Sequence, residues 1–122
     1  DEFDRLHLRR RSLWEQYYQA FKGVSGIRLQ HTGTHFENNY SYFPVVFESE
    51  EKMLEIRNRL NEAGIFPRRY FYPSLNNLSY IDGVQSCPLS ESLAGRILCL
   101  PLYAELDPAD QQRIIRIIIG LL

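Results

Sequence analysis

Apolar residues recur at helical spacing in four stretches of the chain, and each stretch carries a residue type that starts or stops a helix. The first stretch covers residues 3–22. The second follows Ser49, a good capping residue, and stops at Gly64, which suits a helix C-terminus. Pro88 opens the third stretch, and Asp107 with the proline after it opens the fourth. The pattern therefore predicts four helices.

The segments between these helices contain short runs of β-branched and aromatic residues, which predict strands. The runs are residues 27–30, 40–47, 65–71 and 98–101. Because proline cannot donate a ladder hydrogen bond, Pro44 predicts an edge position or a bulge in the second run. Residues 31–39 and 74–86 are rich in turn formers and predict loops.

This order of helices and short strands favours an α+β fold. We expect a small, mainly antiparallel sheet with helices packed on one face. No repeat, linker or low-complexity tract divides the sequence, and a chain of 122 residues suits one domain. Residues 1–122 are therefore predicted to form a single domain.

Charge and cysteine content exclude several classes of function. Fourteen basic and fifteen acidic residues give a net charge of −1, so we expect neither nucleic acid nor a membrane as partner. The apolar runs are too short to span a bilayer, and the N-terminus is charged where a signal peptide would be apolar. Cys87 and Cys99 are too far apart for a CxxC motif and are expected to be buried thiols. These features favour a soluble, cytoplasmic protein.

The sequence contains no complete catalytic constellation. Nucleophile-elbow, zinc-protease, dinucleotide and phosphate-loop motifs are all missing from it. His31 and His35 lie four residues apart, a spacing that suits a metal only on a helix, and Gly33 predicts a loop there. We therefore predict no metal site and no catalytic residue within the chain.

Recognition chemistry is concentrated in residues 68–73, Arg-Arg-Tyr-Phe-Tyr-Pro. Guanidinium groups bind anions in planar, bidentate geometry, and phenolic hydroxyls hydrogen-bond sugars or phosphates. The alternative is a surface arginine pair with aromatic side chains in the core. Asn38, Asn39 and Tyr40 could supply further hydrogen bonds beside this segment, although asparagine there is commonly a plain turn residue. The candidate substrate-binding residues are Arg69, Tyr70, Phe71, Asn39 and Tyr40.

Several motifs occur in the order found in one enzyme family. They are Tyr42-Phe-Pro-Val-Val-Phe47, Leu60-Asn-Glu-Ala-Gly-Ile65, Arg69-Tyr-Phe-Tyr-Pro73, Cys87-Pro-Leu-Ser-Glu-Ser-Leu-Ala94 and Leu98-Cys-Leu-Pro-Leu-Tyr103, followed by the helix at Asp107. In these motifs the chain resembles the C-terminal small domain of the DegT/DnrJ/EryC1/StrS family, the PLP-dependent sugar aminotransferases of fold-type I. The resemblance covers most of residues 1–122.

The resemblance implies a full-length enzyme that transfers an amino group from an amino acid, typically glutamate, to a keto-sugar nucleotide. It implies pyridoxal 5'-phosphate as cofactor, a homodimer, and a role in surface polysaccharide or antibiotic biosynthesis. It also implies a large N-terminal domain, absent here, that holds the lysine forming the aldimine. Neither Lys22 nor Lys52 lies in a matching context. We therefore expect these residues alone to bind no cofactor covalently and to be inactive.

In the family, the segment after the second helix approaches the active-site cleft, where many members carry a His-Tyr pair that faces the sugar nucleotide. Tyr70 and Phe71 occupy those two places here. Arg69-Tyr70-Phe71 resembles a variant of this segment that occurs in relatives acting on dTDP-linked ketosugars. Because the His-Tyr pair is replaced here, the resemblance does not predict which sugar is aminated or at which position.

Two alternatives follow from the same residues. A stand-alone or regulatory binding module could share the fold without transaminating, because no catalytic lysine is found.

If the large domain is removed, we expect apolar surface on the first and last helices to be exposed, and we expect the chain to self-associate. The residues expected to be exposed are Leu13, Trp14, Tyr17, Ile115 and Ile119.

Overall fold

The computed structural model describes residues 1–70, 72–83 and 85–122. Four helices and three short strands lie within these residues. In chain order they are α1 (Glu2–Phe21), β1 (Ile27–Leu29), β2 (Pro44–Phe47), α2 (Glu50–Glu62), α3 (Pro88–Arg96), β3 (Ile97–Cys99) and α4 (Pro108–Leu121), with a 3₁₀ turn at Leu75–Asn77. None of the helices in these ranges is both long enough and apolar enough to cross a membrane.

Local capping chemistry explains where the helices begin and end. The Ser49 hydroxyl accepts a hydrogen bond from the Lys52 amide at 3.1 Å, and the Asp107 carboxylate accepts one from the Ala109 amide at 2.7 Å. Gly64 follows α2 with φ at 79°, a left-handed conformation that glycine adopts without strain. The four helices predicted from the sequence are therefore confirmed, with bounds shifted by only one or two residues.

The three strands form one antiparallel sheet in the order β1-β2-β3. Val46 of β2 lies opposite Arg28 of β1 and Ile97 of β3. The expectation that Pro44 marks an edge strand or a bulge is wrong, because β2 is the central strand. Pro44 is the first residue of β2, where its missing N–H does not interrupt a continuing ladder.

Two predicted strands are shorter than expected. Residues 40–43 are not part of β2, because Tyr40 has φ at 52° and the Asn38 side chain accepts a hydrogen bond from the Tyr40 amide. Within the described residues 65–70, the strand predicted at 65–71 is reduced to one bridge, in which the backbones of Arg68 and Cys99 exchange hydrogen bonds of 3.0 and 2.9 Å. Pro67, which has no amide donor, precedes this bridge.

The hydrophobic core lies between one face of the sheet and helices α1, α2 and α4. Strand alternation directs Val45 and Phe47 of β2 and Leu98 of β3 into this core. The helices contribute Leu13, Tyr17, Phe21, Met53, Ile56, Leu60, Ile114, Ile115 and Ile118. The predicted α+β fold with helices on one face is therefore confirmed.

The predicted exposure of the first and last helices is largely wrong. Leu13, Tyr17 and Ile115 are buried, because α1 and α4 pack against each other and cover these side chains. Ile119 is exposed, and Trp14 is half-buried against the core. An open apolar surface also lies on the opposite face of the sheet.

Candidate functional site

A groove of about 520 Å³ lies on the face of the sheet opposite the core. The same alternation that buries Val45 and Leu98 places Pro44, Val46, Ile97 and Cys99 on this second face. Leu89 and Leu93 of α3 border it, together with Tyr42 and Tyr70. We call this cavity the sheet groove. Apolar walls with a few polar groups at the rim are typical of small-molecule sites.

Tyr42 and Tyr70 form an aromatic pair at one end of the sheet groove. Their ring centroids lie 5.5 Å apart at an interplanar angle of 74°, an edge-to-face contact. Both side chains are exposed, and both also line a second cavity of about 270 Å³ that includes Arg68 and Tyr103. The pair thus lies between two cavities and lines both of them with aromatic rings.

Two arginines lie beside the sheet groove. Arg96 is fixed, since its guanidinium donates to the Phe47 carbonyl at 3.0 Å and to the Ser92 carbonyl at 3.2 Å. Arg28 is exposed on β1, opposite Val46, and within residues 1–70, 72–83 and 85–122 no hydrogen bond or ion pair engages its side chain. An uncommitted guanidinium beside apolar and aromatic walls suits a ligand that combines a flat ring with an anionic group.

The structure places Arg69 in an internal ion pair. One guanidinium nitrogen donates to the Glu50 carboxylate at 2.6 Å and to the Gly95 carbonyl at 3.3 Å. The guanidinium carbon lies 3.5 Å from the centroid of the Tyr72 ring. Only 15% of the side chain is exposed, so the guanidinium predicted to bind an anion is already engaged by a carboxylate.

The other predicted site residues are dispersed. The Asn39 side chain accepts a hydrogen bond from the Ser41 amide at 3.0 Å, which is a turn-forming role. The Tyr40 ring contacts His7 and Trp14 of α1, with centroids 5.4 and 5.7 Å away. Phe71 lies outside the described residues. Of the four described members of the predicted set, Tyr70 is the one whose side chain lines the sheet groove.

Sequence reasoning missed Tyr42 and Arg28 as candidate site residues. A signal for the groove was present, because Val45 and Val46 are both apolar although strand alternation sends them to opposite faces. An apolar residue on each face indicates that both faces are covered or bind something. Arg28 carried no such signal, since only the register of β1 with β2 places it beside the groove.

The histidines and cysteines show no metal-binding arrangement. His31 and His35 lie in a loop, as predicted. Within the described ranges, no group of three or more histidine, cysteine or acidic side chains is close enough to hold an ion. Cys87 and Cys99 are unpaired thiols that are half-buried rather than buried.

Cys99 provides a chemical probe of the sheet groove. Burial raises the pKa of the Cys99 thiol above its ordinary value, so less of it is thiolate at pH 8 than in a free thiol. In a Cys87→Ser variant, we expect Cys99 to react with a disulfide reagent more slowly than glutathione at pH 8. The difference between the reaction rates of Cys99 and glutathione should narrow as the pH rises. Stopped-flow absorbance measures both rates, and a rate equal to that of glutathione would show that the groove floor is fully hydrated.

Comparisons with known proteins agree with one another. A sequence model of the DegT/DnrJ/EryC1/StrS aminotransferase family matches residues 1–119. A dTDP-4-amino-4,6-dideoxy-D-glucose transaminase from Escherichia coli is 30% identical over 114 residues, which are 85% of this chain and 30% of that protein. The transaminase of the same description from Shigella dysenteriae is 34% identical over 96 residues, which are 75% of this chain and 26% of that protein.

Solved structures show the same fold. The aminotransferase TlmJ from Streptoalloteichus hindustanus superposes with a TM-score of 0.86 at 25% identity, covering 95% of this chain and 31% of TlmJ. DesV from S. venezuelae, solved in complex with a ketimine intermediate, gives 0.80 at 27% identity, covering 96% of this chain and 32% of DesV. The chain thus spans about 30% of the length of the curated E. coli relative.

Proposed function

The chain belongs to the DegT/DnrJ/EryC1/StrS aminotransferase family, and from this membership we propose that it forms the small domain of a sugar aminotransferase. In this proposal residues 1–122 correspond to the C-terminal part of a family member. They form one wall of the cleft that receives a keto-sugar nucleotide. The amino donor is an amino acid, with glutamate as the first choice.

The observation that carries the proposal is the Tyr42–Tyr70 pair beside the sheet groove, in a chain similar to dTDP-sugar transaminases. A nucleotide sugar combines a flat base, a sugar ring and a diphosphate. Tyr rings pack against bases and sugar faces, and an arginine binds phosphate oxygens. We assign Tyr42 and Tyr70 to the base or sugar, and Arg28 to the diphosphate.

The residues present do not fit a covalently bound pyridoxal phosphate. A lysine that forms a Schiff base needs its amine free and directed into a cavity. The Lys52 amine donates to the Glu55 carboxylate at 2.7 Å and to the Leu121 carbonyl at 2.9 Å. Lys22, the other lysine, is exposed at the end of α1. We therefore place the cofactor-bearing lysine in the part of a family member that these residues do not span.

The proposal extends to the setting of the complete enzyme. Pyridoxal 5'-phosphate is its cofactor, and a homodimer is its expected assembly. Its nucleotide-sugar substrate places it in the cytoplasm, in the synthesis of a polysaccharide or another glycosylated product. Each of these features rests on family membership and on the similarity to sugar transaminases.

The test is an assay of the complete gene product with dTDP-linked ketosugars and glutamate. We expect amination by the wild type, and we expect Tyr42→Ala and Tyr70→Ala each to lower kcat/KM for the sugar nucleotide by roughly tenfold, since stacking on an aromatic ring stabilises a base by about 1–3 kcal/mol. Product formation is followed by mass spectrometry. Tyr18→Ala is the matched control, because Tyr18 is also exposed but stacks on Trp14 of α1.

A binding module that does not transaminate is the second candidate function. The engaged amine of Lys52 is compatible with this candidate and with the enzyme alike, so the assay decides between them. Binding of the nucleotide sugar by the complete gene product, without an aldimine absorbance band and without amination, would support this candidate and contradict the enzyme proposal. Amination that is insensitive to both tyrosine variants would contradict the assignment of the site.

A further inference from the structure

The segment that carries Tyr70 is fixed on its N-terminal side by the backbone. Arg68 and Cys99 exchange two hydrogen bonds, with the Arg68 amide donating at 3.0 Å and the Cys99 amide donating at 2.9 Å. This bridge attaches the segment to the outer edge of β3. The bridge therefore fixes the position of Arg68 against β3.

A second attachment comes from the Arg69 side chain. Its guanidinium reaches Glu50 in the first turn of α2, at 2.6 Å, and the Gly95 carbonyl in the last turn of α3, at 3.3 Å. Arg69 is mostly buried, whereas nearly half of Glu50 is exposed. The contact therefore ties the segment to two helices at once, and a charged hydrogen bond to a partly buried guanidinium is among the stronger kinds.

The same guanidinium also holds a residue on the far side of Tyr70. The Tyr72 ring lies over the Arg69 guanidinium at 3.5 Å, a stacked cation–π contact that a planar guanidinium makes better than an ammonium group. Tyr70 thus lies between the bridge at Arg68 and the stacked Tyr72. Its ring meets Tyr42 at the end of the sheet groove.

We propose that Arg69 is a positioning residue, which sets the orientation of Tyr70 toward the sugar nucleotide and does not itself bind an anion of the substrate. The inference rests on the proposed function, since it assigns a task within the same site. It predicts that Glu50, which lies outside the sheet groove, affects substrate binding through Arg69. Because one guanidinium makes three different contacts here, lysine cannot replace it fully.

The experiment is a double-mutant cycle in the complete gene product, with Arg69→Met, Glu50→Gln and the double variant. Arg69→Met should raise KM for the dTDP-ketosugar roughly tenfold, with kcat within about threefold of wild type and KM for glutamate unchanged. Glu50→Gln should change KM in the same direction, and the double variant should be no worse than Arg69→Met. Arg69→Lys should restore part of the loss.

Hydrogen exchange supplies a readout that is independent of activity. We expect the peptide covering residues 68–73 to exchange roughly tenfold faster in Arg69→Met and Glu50→Gln than in the wild type. Arg113→Met is the control. Like Arg69, the Arg113 guanidinium donates both to a carboxylate, that of Asp110 at 3.2 Å, and to a backbone carbonyl, that of Ala63 at 2.8 Å. It lies outside the lining of the sheet groove, so KM and exchange at 68–73 should stay at wild-type values.

Three results would overturn the inference. If Arg69 binds the substrate directly, Arg69→Met will raise KM while Glu50→Gln leaves it unchanged or lowers it. If Arg69 only stabilises the fold, Tm will fall while KM stays constant. A wild type that binds no nucleotide sugar would overturn the proposed function together with the inference, whereas an active wild type with either of the first two patterns overturns the inference alone.

Discussion

Phe43→Ala is expected to lower the free energy of unfolding by about 3–5 kcal/mol, the range measured for truncation of large buried aromatic side chains. Phe43 is 2% exposed. Its ring centroid lies 5.4 Å from that of Trp14, 5.0 Å from Tyr17 and 6.3 Å from Phe21. These three rings belong to one helix, so they cannot move independently to fill the cavity that alanine would leave. Against a typical total of about 5–15 kcal/mol, the loss is severe.

Urea unfolding followed by circular dichroism measures this effect. Phe36→Ala is the matched control, because Phe36 is 77% exposed and its truncation should change stability by less than about 0.5 kcal/mol. Phe43→Leu should retain most of the wild-type stability, since it keeps much of the apolar volume. Equal effects of Phe43→Ala and Phe36→Ala would contradict the packing of Phe43 against α1. Because Phe43 lies between Tyr42 and Pro44, its loss should also weaken the sugar-nucleotide binding that we propose for Tyr42.

The helices were predictable because their signals are local. Ser49 and Asp107 each accept a hydrogen bond from an amide two or three residues further on, so the neighbouring sequence alone determines the cap. The sheet is different, because its strand order depends on contacts between distant segments. Pro44 suggested an edge or a bulge, yet pairing with Cys99 on one side and the register of Val46 with Arg28 on the other make β2 central.

The candidate site was predicted only in part, for the same physical reason. Tyr70 was identified from the chemistry of its own segment, and it lines the sheet groove. Arg69 was expected to be available for an anion, but Glu50 and Gly95 lie 19 and 26 residues away and only folding brings them together. Tyr42 belonged to a motif used for the resemblance. Its role beside Tyr70 became visible only in the folded chain.

Family membership and site assignment rest on different kinds of evidence. The order of motifs along the chain resembled the DegT/DnrJ/EryC1/StrS family, and the match over residues 1–119 confirms that membership. Membership does not fix the role of a single side chain. The contacts of Arg69 favour the positioning role that we propose for it. The exposure of Arg28 favours the phosphate-binding role that we propose for it.

Gln111→Glu is expected to give the largest pH-dependent effect in the chain. Gln111 is completely buried, and its side-chain amide donates to the Leu13 carbonyl at 2.7 Å, joining α4 to α1. Its side-chain oxygen is also buried, and the described residues provide it with no hydrogen-bond donor. A glutamate at this position would place an unpaired carboxylate in the core, facing a carbonyl oxygen. We expect a loss of about 3–5 kcal/mol at pH 8.

The sign of the pH dependence follows from desolvation, which favours the neutral form of a carboxyl group. In the folded variant the pKa of the introduced glutamate should be raised above its unfolded value of about 4.3. Below that value the protonated carboxyl donates to the Leu13 carbonyl as the amide did, so stability is close to that of the wild type. As the pH rises toward the folded-state pKa, stability should fall by about 1.4 kcal/mol per pH unit relative to wild type.

Urea unfolding of the variant and the wild type at each pH from about 4 to 8 measures this difference. Gln112→Glu is the control, because Gln112 is the next residue of α4 and is exposed. Its stability should stay within about 0.5 kcal/mol of wild type at every pH. A pH-independent difference for Gln111→Glu would show that water reaches the interface between α1 and α4. In that case the unpaired oxygen of Gln111 is hydrated, and this contact stabilises the packing of α1 less than its burial suggests.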